Sequence, residues 1–151
     1  MSVRISRGLL ATLLAEAAGA ADREVCGLLL GEAVAPPGRG GAAERIAQVI
    51  PTTNVAAKPA DRFEIDPAAL FAAIRGARIG GPRILGHYHS HPNGLTTPSP
   101  RDAAMADTPG RLWLIVAHGQ ARLWREQPGG PVQAAFDSVR LVVDEGKGSC
   151  A

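Results

Sequence analysis

The decisive stretch of this sequence is Leu85-Gly-His-Tyr-His-Ser-His-Pro-Asn-Gly-Leu-Thr-Thr-Pro-Ser-Pro-Arg-Asp102, which holds three of the four histidines and ends on an acid. Residues 83–89 predict a β-strand, in which side chains alternate between the two faces. His87, His89 and, if the strand persists, His91 therefore share one face. Imidazoles grouped in this way, with a carboxylate nearby, indicate a metal site, and the rest of the chain is interpreted as its scaffold.

The position of the carboxylate decides which histidines act together. Asp102 stands eleven residues after His91, whereas the same step from His89 reaches Pro100, which cannot bind a metal. The predicted ligands are therefore His89, His91 and Asp102, and His87 is left as a packing neighbour. Two imidazoles and one carboxylate suit zinc, and three protein ligands leave the fourth position open for water.

Three stretches around the histidines show helical features. Each begins with a residue that favours a helix N-cap, and in two of them proline follows directly. The predicted helices cover residues 6–19 with Ser6 as N-cap, a segment from Asp66 whose buried face is Leu70, Phe71 and Ile74, and residues 99–106.

Short apolar runs predict more strands than helices. The predicted strands are residues 25–31, 44–50 (ended by Pro51), 83–89, 112–117, 121–125, 132–136 and 139–143. This order, with tight connections in the second half, predicts an α/β fold with a mixed sheet and helices against it. A doubly wound parallel sheet fits the order less well.

The composition predicts one globular domain over residues 1–143, followed by a flexible tail over residues 144–151. A chain of 151 residues with 46% hydrophobic and 20% charged content can bury one proper core. The net charge of +2, without a dense basic block, argues against a nucleic-acid partner. No apolar run is long enough to span a membrane. Cys26 and Cys150 form no disulfide framework, which agrees with a cytoplasmic location.

Hydrolysis at such a site needs a general base, and Glu24 is the clearest candidate upstream of the histidines. Taken alone, Glu24 is more often a solvated residue at the start of a strand. Ser99-Pro-Arg-Asp102 also has an alternative, because Ser at the N-cap and an acid at N3 form a helix capping box. Asp102 could serve both as the N3 residue of the capping box and as a metal ligand, because an N3 side chain points back towards the helix start. Cys26 is predicted to be a small buried hydrophobe, and Asn54 is a candidate for substrate contact.

Three motifs together resemble the JAMM (MPN-plus) metalloprotease family. These motifs are Glu24-Val-Cys-Gly-Leu-Leu-Leu-Gly31, His89-Ser-His91-Pro and Ser99-Pro-Arg-Asp102. They match the family signature of a distant Glu followed by His-x-His-x7-Ser-x2-Asp. The resemblance extends over roughly Val3 to Phe136 and is greatest to the short prokaryotic type. It implies a mixed, curved, partly barrel-like sheet flanked by helices, the MPN/JAB fold that is related to cytidine deaminases.

The resemblance also implies a role for each site residue. His89, His91 and Asp102 would bind zinc. Glu24 would take a proton from the attacking water and pass it to the leaving amine, while Ser99 would hydrogen-bond that water or stabilise the oxyanion. The implied reaction is hydrolysis of a peptide or isopeptide bond at the C-terminus of a ubiquitin-like or sulfur-carrier protein. The oligomeric state stays open, with a homodimer among the options.

Two other functions are alternatives to this one. A non-catalytic MPN-type scaffold that binds partner proteins is one, but such domains usually lose metal ligands and this sequence retains all of them. A zinc deaminase is the other, but it would need a Pro-Cys-x-x-Cys ligand pair, which the sequence lacks.

Overall fold

A computed structural model describes residues 2–35 and 44–146, so that Cys150 and residues 147–151 of the predicted tail lie outside the described residues. None of the helices in these two ranges is long and apolar enough to cross a membrane. The elements in chain order are β1 Ser2–Ser6, α1 Arg7–Ala18, β2 Cys26–Gly31, β3 Glu44–Ile46, β4 Gln48–Thr52, α2 Pro67–Arg78, β5 Arg83–Ser90, α3 Pro100–Met105, β6 Leu112–Ala117, β7 Gln120–Glu126 and β8 Phe136–Asp144.

The strands form one mixed sheet in the order β3-β1-β8-β7-β6-β5-β2-β4. The pairs β1–β3, β1–β8 and β5–β6 are parallel, and the others are antiparallel. The two edge strands, β3 and β4, are separated along the chain only by Ala47, whose N–H donates to the Leu30 carbonyl over 2.8 Å. The sheet therefore curls back on itself into a nearly closed barrel, which confirms the predicted fold class.

Side chains on the two faces of the sheet form two separate cores. Helix α1 covers one face, where its leucines pack on β1, β6 and their neighbours. The predicted N-cap of this helix, Ser6, is confirmed, because its hydroxyl accepts from the N–H of Leu9 over 3.1 Å. The core of the other face lies beside the histidines and consists of Cys26, Phe63, Trp113, Ile115, Trp124 and Phe136.

Several predicted boundaries were wrong. Residues 44–50 form no single strand, because β3 and β4 pair with different neighbours at opposite edges of the sheet. Pro51 lies inside β4, where an edge strand tolerates the missing N–H. Residues 132–136 are mainly a turn, with positive φ at Gln133 and Ala134. β1 was not predicted at all, and β8 extends to Asp144, the first residue of the predicted tail.

The buried face predicted for α2 was also wrong. No residue of this helix is buried, and the Phe71 side chain is 63% exposed. Leu70 and Ile74 are only partly buried, because α2 packs mainly against β5 at the rim of the sheet. The apolar spacing therefore located the helix correctly but overestimated how much of it is covered.

Gly86 fixes the close approach of β5 and β6, the parallel pair that leads to the histidines. A Cβ at this position would overlap the carbonyl oxygen of Leu112, so the two strands would have to separate. We expect Gly86→Ala to lower the free energy of unfolding by about 3 kcal/mol or more, measured by urea denaturation. The control is Gly76→Ala in α2, where a Cβ meets nothing within 4 Å and should stabilise the fold by about 0.5–1 kcal/mol. Equal effects of the two changes would contradict this interpretation of the β5–β6 contact.

Candidate metal centre

The end of β5 brings the three predicted ligands together. His89 is the penultimate residue of β5, and His91 follows the strand, held by its N–H to the Val116 carbonyl over 3.0 Å. The two Nε2 atoms are 3.0 Å apart, and Asp102 Oδ2 lies 3.3 Å from that of His89 and 3.1 Å from that of His91. All three side chains are buried. Their assignment as ligands stays a prediction, and the geometry agrees with it.

Glu24 joins this group from the neighbouring strand. It precedes β2, which pairs antiparallel with β5 so that Cys26 stands opposite His89. A carboxylate oxygen of Glu24 and the ring nitrogens of His89 and His91 lie within 4.8 Å of one another. Glu24 is only 5% exposed, and its Oε1 atom has no hydrogen-bond partner among the described residues. The alternative of a solvated Glu24 is therefore wrong.

Asn54 holds the backbone of Glu24 through its side-chain amide. Its amide nitrogen donates to the carbonyls of Glu24 and Arg62, over 2.9 and 3.0 Å. Its amide oxygen accepts from the N–H groups of Ala56 and Glu64, each over 3.0 Å. These four bonds use both amide atoms within the fold, and substrate contact by Asn54 stays a prediction. Asn54 joins the Glu24 strand to the segment around residue 63.

The Ser99–Asp102 capping box is confirmed, and it coexists with the metal-site geometry. The Ser99 hydroxyl accepts from the Asp102 N–H over 3.0 Å, while Asp102 Oδ2 accepts from the Ser99 N–H over 2.9 Å. The same Oδ2 atom faces both imidazoles. The Ser99 hydroxyl acts as acceptor in the cap, so its own hydrogen stays available. Together with Glu24 and His91, Ser99 lines an open cleft of about 440 Å³.

The donor set fits zinc. His91 Nδ1 lies 2.7 Å from the Leu95 carbonyl, so Nδ1 carries the hydrogen of the neutral ring and the Nε2 lone pair faces inward. That lone pair points at Asp102 Oδ2 and His89 Nε2. Acceptor atoms this close repel one another unless a cation or a proton lies between them. Tetrahedral zinc with bonds of about 2.0–2.1 Å separates its ligand atoms by about 3.4 Å. The observed separations of 3.0 to 3.3 Å are close to that value.

The pKa shifts in the group show the same competition between proton and metal. Burial lowers the pKa of His89. Burial also opposes ionisation of His91 and Asp102, but their mutual hydrogen bond and charge raise the pKa of His91 and lower that of Asp102. A proton on His91 thus occupies the position that a metal ion would take. Metal binding would release this proton, so affinity should rise with pH.

The surroundings of Glu24 bring its pKa close to neutral pH. Burial raises the pKa of Glu24 to about 7, with His91 opposing the shift and Asp102 reinforcing it. A group with such a pKa can both accept and donate a proton at neutral pH. This property suits a general acid and base better than it suits a permanently charged ligand.

His87 is a packing neighbour, as predicted, and its ring lies among aromatic side chains. Its centroid is 4.3 Å from that of Trp113 and 5.3 Å from that of Phe63. The buried Nδ1 atom of His87 has no hydrogen-bond partner among the residues described. Burial, reinforced by repulsion from His89, lowers the pKa of His87 from its ordinary value of 6.5 to about 3. His87 is therefore neutral at physiological pH.

This shift makes the fold sensitive to acid. Between pH 6.5 and 3 the unfolded chain binds a proton at His87 that the folded chain does not, so stability falls as the pH falls. We expect His87→Phe to remove this loss. Between pH 8 and pH 5 the free energy of unfolding of the original chain should therefore fall by about 2 kcal/mol more than that of the variant. Urea denaturation at both pH values measures it. An identical pH dependence in the two proteins would contradict the assignment.

The remaining candidates have structural surroundings. Cys26 is fully buried, with Sγ 3.6 Å from Thr52 Oγ1, and burial raises the pKa of its thiol to about 11. Cys26 is therefore the small hydrophobe that was predicted. Tyr88 lies in the core, where its hydroxyl donates to Glu16 over 2.6 Å. His118 is exposed in the turn between β6 and β7, and its Nε2 atom lies 3.3 Å from the Pro92 carbonyl.

Three residues around the site were missed. Phe63 stacks on the His89 ring at 4.3 Å, the Leu95 carbonyl lies 2.7 Å from His91 Nδ1, and the Trp124 indole N–H donates to the neighbouring Thr96 carbonyl over 2.9 Å. A backbone carbonyl leaves no signal in a sequence, and apolar spacing assigns an aromatic residue to the core without saying what it touches. The helix start Phe63-Glu-Ile-Asp-Pro67, which lies within the Val3 to Phe136 range of the resemblance, contains one of these residues but does not assign it to the site.

The curved sheet and the buried His, His, Asp and Glu group define the JAMM/MPN class. The family model for prokaryotic homologues of the JAB domain matches residues 6–127, and the chain therefore belongs to that family. The recognition made from the motifs is thereby confirmed.

Individual relatives agree with this assignment. The chain is 34% identical to the desampylase of Haloferax volcanii over 99 residues, which are 66% of each chain. It is 35% identical over 98 residues to the probable TtuB-protein conjugate cleaving protease of Thermus thermophilus, covering 65% of this chain and 59% of the relative. The alignments thus span less than two thirds of either relative's length. The solution structure of protein DSY2949 from Desulfitobacterium hafniense has a TM-score of 0.75 at 25% identity, covering 95% of this chain and 94% of the other.

Proposed function

We propose that this protein is a zinc-dependent metallopeptidase that hydrolyses a peptide or isopeptide bond at the C-terminus of a ubiquitin-like or sulfur-carrier protein. One observation carries the proposal. Three metal-binding side chains converge within 3.3 Å, and the unpartnered carboxylate of Glu24 lies beside them. The Thermus relative is named for cleaving protein conjugates, which supports the substrate class.

In this proposal His89, His91 and Asp102 hold the zinc. Bound there, zinc supplies Lewis acidity, which polarises a carbonyl and lowers the pKa of water towards about 7. His91 is oriented for the task by the Leu95 carbonyl at 2.7 Å, and Asp102 by its bond from the Ser99 N–H. The two orienting bonds keep both ligand atoms directed inward without any rearrangement.

Glu24 moves the protons of the reaction. Its carboxylate accepts a proton from the water whose oxygen attacks the scissile carbonyl carbon. The same proton then passes to the amide nitrogen as the C–N bond breaks, which gives a carboxylic acid and an amine. The second proton of the water is released when the new carboxylic acid ionises to a carboxylate. A pKa of about 7 allows both transfers near neutral pH.

Ser99 stabilises the charge that develops on the carbonyl oxygen. Its hydroxyl is fixed by the capping bond to the Asp102 N–H and lines the same cleft as Glu24. A single fixed donor of this kind contributes about 3–4 kcal/mol to transition-state stabilisation in serine proteases. Ser99 thus combines a structural role at α3 with a role in the reaction.

The rival role of a non-catalytic scaffold explains less. A buried carboxylate oxygen without a partner lowers stability by about 1–3 kcal/mol or more. A domain that only binds partners would not need this feature at Glu24, next to two histidines and an aspartate. We also infer that residues 2–143 act as one catalytic domain, because the last strand, β8, lies between the first strand, β1, and β7 in the same sheet.

The test uses fusions of ubiquitin-like and sulfur-carrier proteins that carry a short peptide after their C-terminus. The zinc-loaded protein should remove the extension, which mass spectrometry detects as a defined loss of mass. The chelator-treated protein should leave it intact, and added zinc should restore cleavage. Cleavage that is indifferent to chelation would contradict the metal mechanism, and intact fusions throughout would contradict the substrate class.

A further inference from the structure

The segment from Pro92 to Pro98 connects His91 to Ser99 and contains no helix or strand. Its Leu95 carbonyl lies 2.7 Å from His91 Nδ1. The next carbonyl along the chain, that of Thr96, accepts from the indole N–H of Trp124 over 2.9 Å. The Leu95 carbonyl, which orients His91, is therefore adjacent along the chain to the Thr96 carbonyl, which is held by the sheet residue Trp124.

Trp124 is a rigid donor. It lies in β7, is 2% exposed, and stands opposite Trp113 in the β6–β7 register. The guanidinium of Arg122 lies 4.5 Å from the centre of its ring. A buried and covered indole of this kind has no freedom to follow a moving loop, so the loop must conform to it.

The other hydrogen bonds of the segment do not anchor its middle to the sheet. The Leu95 N–H donates to Asn93 Oδ1 within the segment, and the Gly94 N–H donates to the His91 carbonyl. His118 reaches only the first residue, at the Pro92 carbonyl. Among the described residues, Trp124 is thus the one side chain of the sheet that bonds the centre of the segment.

We propose that Trp124 is a positioning residue for the metal site, because it fixes the Thr96 carbonyl and thereby holds the Leu95 carbonyl against His91 Nδ1. The inference rests on the proposed function, since it concerns how a metal ligand is oriented. A neutral imidazole carries one hydrogen, and the partner of one ring nitrogen decides which nitrogen has the lone pair. The anchored carbonyl keeps the hydrogen on Nδ1.

The alternative tautomer of His91 shows why the anchor matters. With the hydrogen on Nε2, His91 would donate to Asp102 Oδ2, which is 3.1 Å away. The hydrogen would then block His91 Nε2, and the bond would occupy Asp102 Oδ2, so neither atom could bind a metal. A loosely held Leu95 carbonyl would allow this state to compete, whereas the carbonyl held by Trp124 disfavours it before any metal arrives.

The test is Trp124→Phe, which removes the indole N–H and keeps an aromatic ring in the core. We expect zinc affinity, measured by competition with a chelating indicator, to fall about 10- to 100-fold, as is usual when a group that orients a metal ligand is lost. In the metal-free protein, at an alkaline pH where the His91 ring is neutral, the ¹⁵N shifts of the ring should show an increased population of the Nε2–H tautomer. Both readouts are independent of catalytic activity.

Trp113→Phe is the matched control. Trp113 is as deeply buried and lies closer to His89, at 5.7 Å between ring centres, but its indole N–H has no hydrogen-bond partner in the described part of the chain. The same change there should leave the tautomer of His91 as it is. If Trp124→Phe fails to fold, benzothienylalanine at position 124 keeps the shape of the indole without its N–H and should give the same shifts.

Unaltered zinc affinity and an unaltered His91 tautomer in the folded Trp124 variant would overturn the inference. Failure of the proposed function is a different result: the original protein would then bind no zinc at all. Even so, the ¹⁵N measurement on the metal-free protein would still decide whether Trp124 controls the tautomer.

Discussion

Glu24→Gln is expected to lower the rate of hydrolysis by about 10²- to 10⁴-fold while zinc affinity stays within a few-fold of its original value. Glutamine has the shape of glutamate but cannot accept the proton of the attacking water. The carboxylate is within 4.8 Å of both histidines, so geometry alone would also allow it to be a fourth ligand. The two roles make opposite predictions for zinc binding.

The measurement combines initial rates on a cleaved fusion with zinc competition on the same preparations. Asp22→Asn is the control, because it removes a carboxylate two residues away on an exposed side chain. It should retain both activity and zinc. A Glu24→Gln protein that hydrolyses at near-original rates would eliminate the base, and one that loses zinc would make Glu24 a ligand.

Asp102→Ala is expected to reduce zinc affinity by more than 100-fold, which exceeds the usual effect of removing a group that only orients a ligand. The change deletes one of the three proposed metal ligands and leaves His89 and His91 without the carboxylate that lies 3.3 and 3.1 Å from their Nε2 atoms. It also breaks the bond from the Ser99 N–H at the start of α3. The variant should therefore be less stable as well as metal-poor.

Ser99→Ala separates these two consequences of the capping box. It removes the hydroxyl that caps α3 and should lower the free energy of unfolding by about 1 kcal/mol. The Asp102 carboxylate remains, so zinc affinity should change far less than in Asp102→Ala. Zinc competition and urea denaturation of both variants measure the contrast. Equal loss of zinc in the two variants would mean that helix position, and not the carboxylate, controls binding.

Features set by short-range spacing could be predicted from the sequence. The His89, His91 and Asp102 register, the Ser99 capping box and the Ser6 N-cap each depend on residues within about a dozen positions of one another. Local geometry alone brings such residues together, because a strand alternates its side chains and an N3 carboxylate points back to the cap.

Features that depend on pairing between distant strands could not be predicted in the same way. Residues 44–52 have one continuous pattern, yet β3 and β4 lie at opposite edges of a curled sheet. Phe71 has helical spacing with its neighbours, yet it is 63% exposed in the described part of the chain. Patterns of hydrophobicity locate an element and leave open how much of it another element will bury.

The position of Glu24 belongs to this second kind. It precedes His89 by 65 positions, and the antiparallel register that sets Cys26 opposite His89 brings it to the site. Only the resemblance to a known family assigned it from sequence. Asn54 and Trp124 had no such guide, since both act through backbone carbonyls that any residue could supply.

The most direct test of the central claim is an anomalous difference map at the zinc absorption edge, from crystals of the zinc-loaded protein. We predict a single strong peak at bonding distance, about 2.0–2.2 Å, from Nε2 of His89, Nε2 of His91 and a carboxylate oxygen of Asp102, with the Glu24 carboxylate close by but not bonded. A peak at other residues, or none at a zinc concentration that supports hydrolysis, would contradict the account.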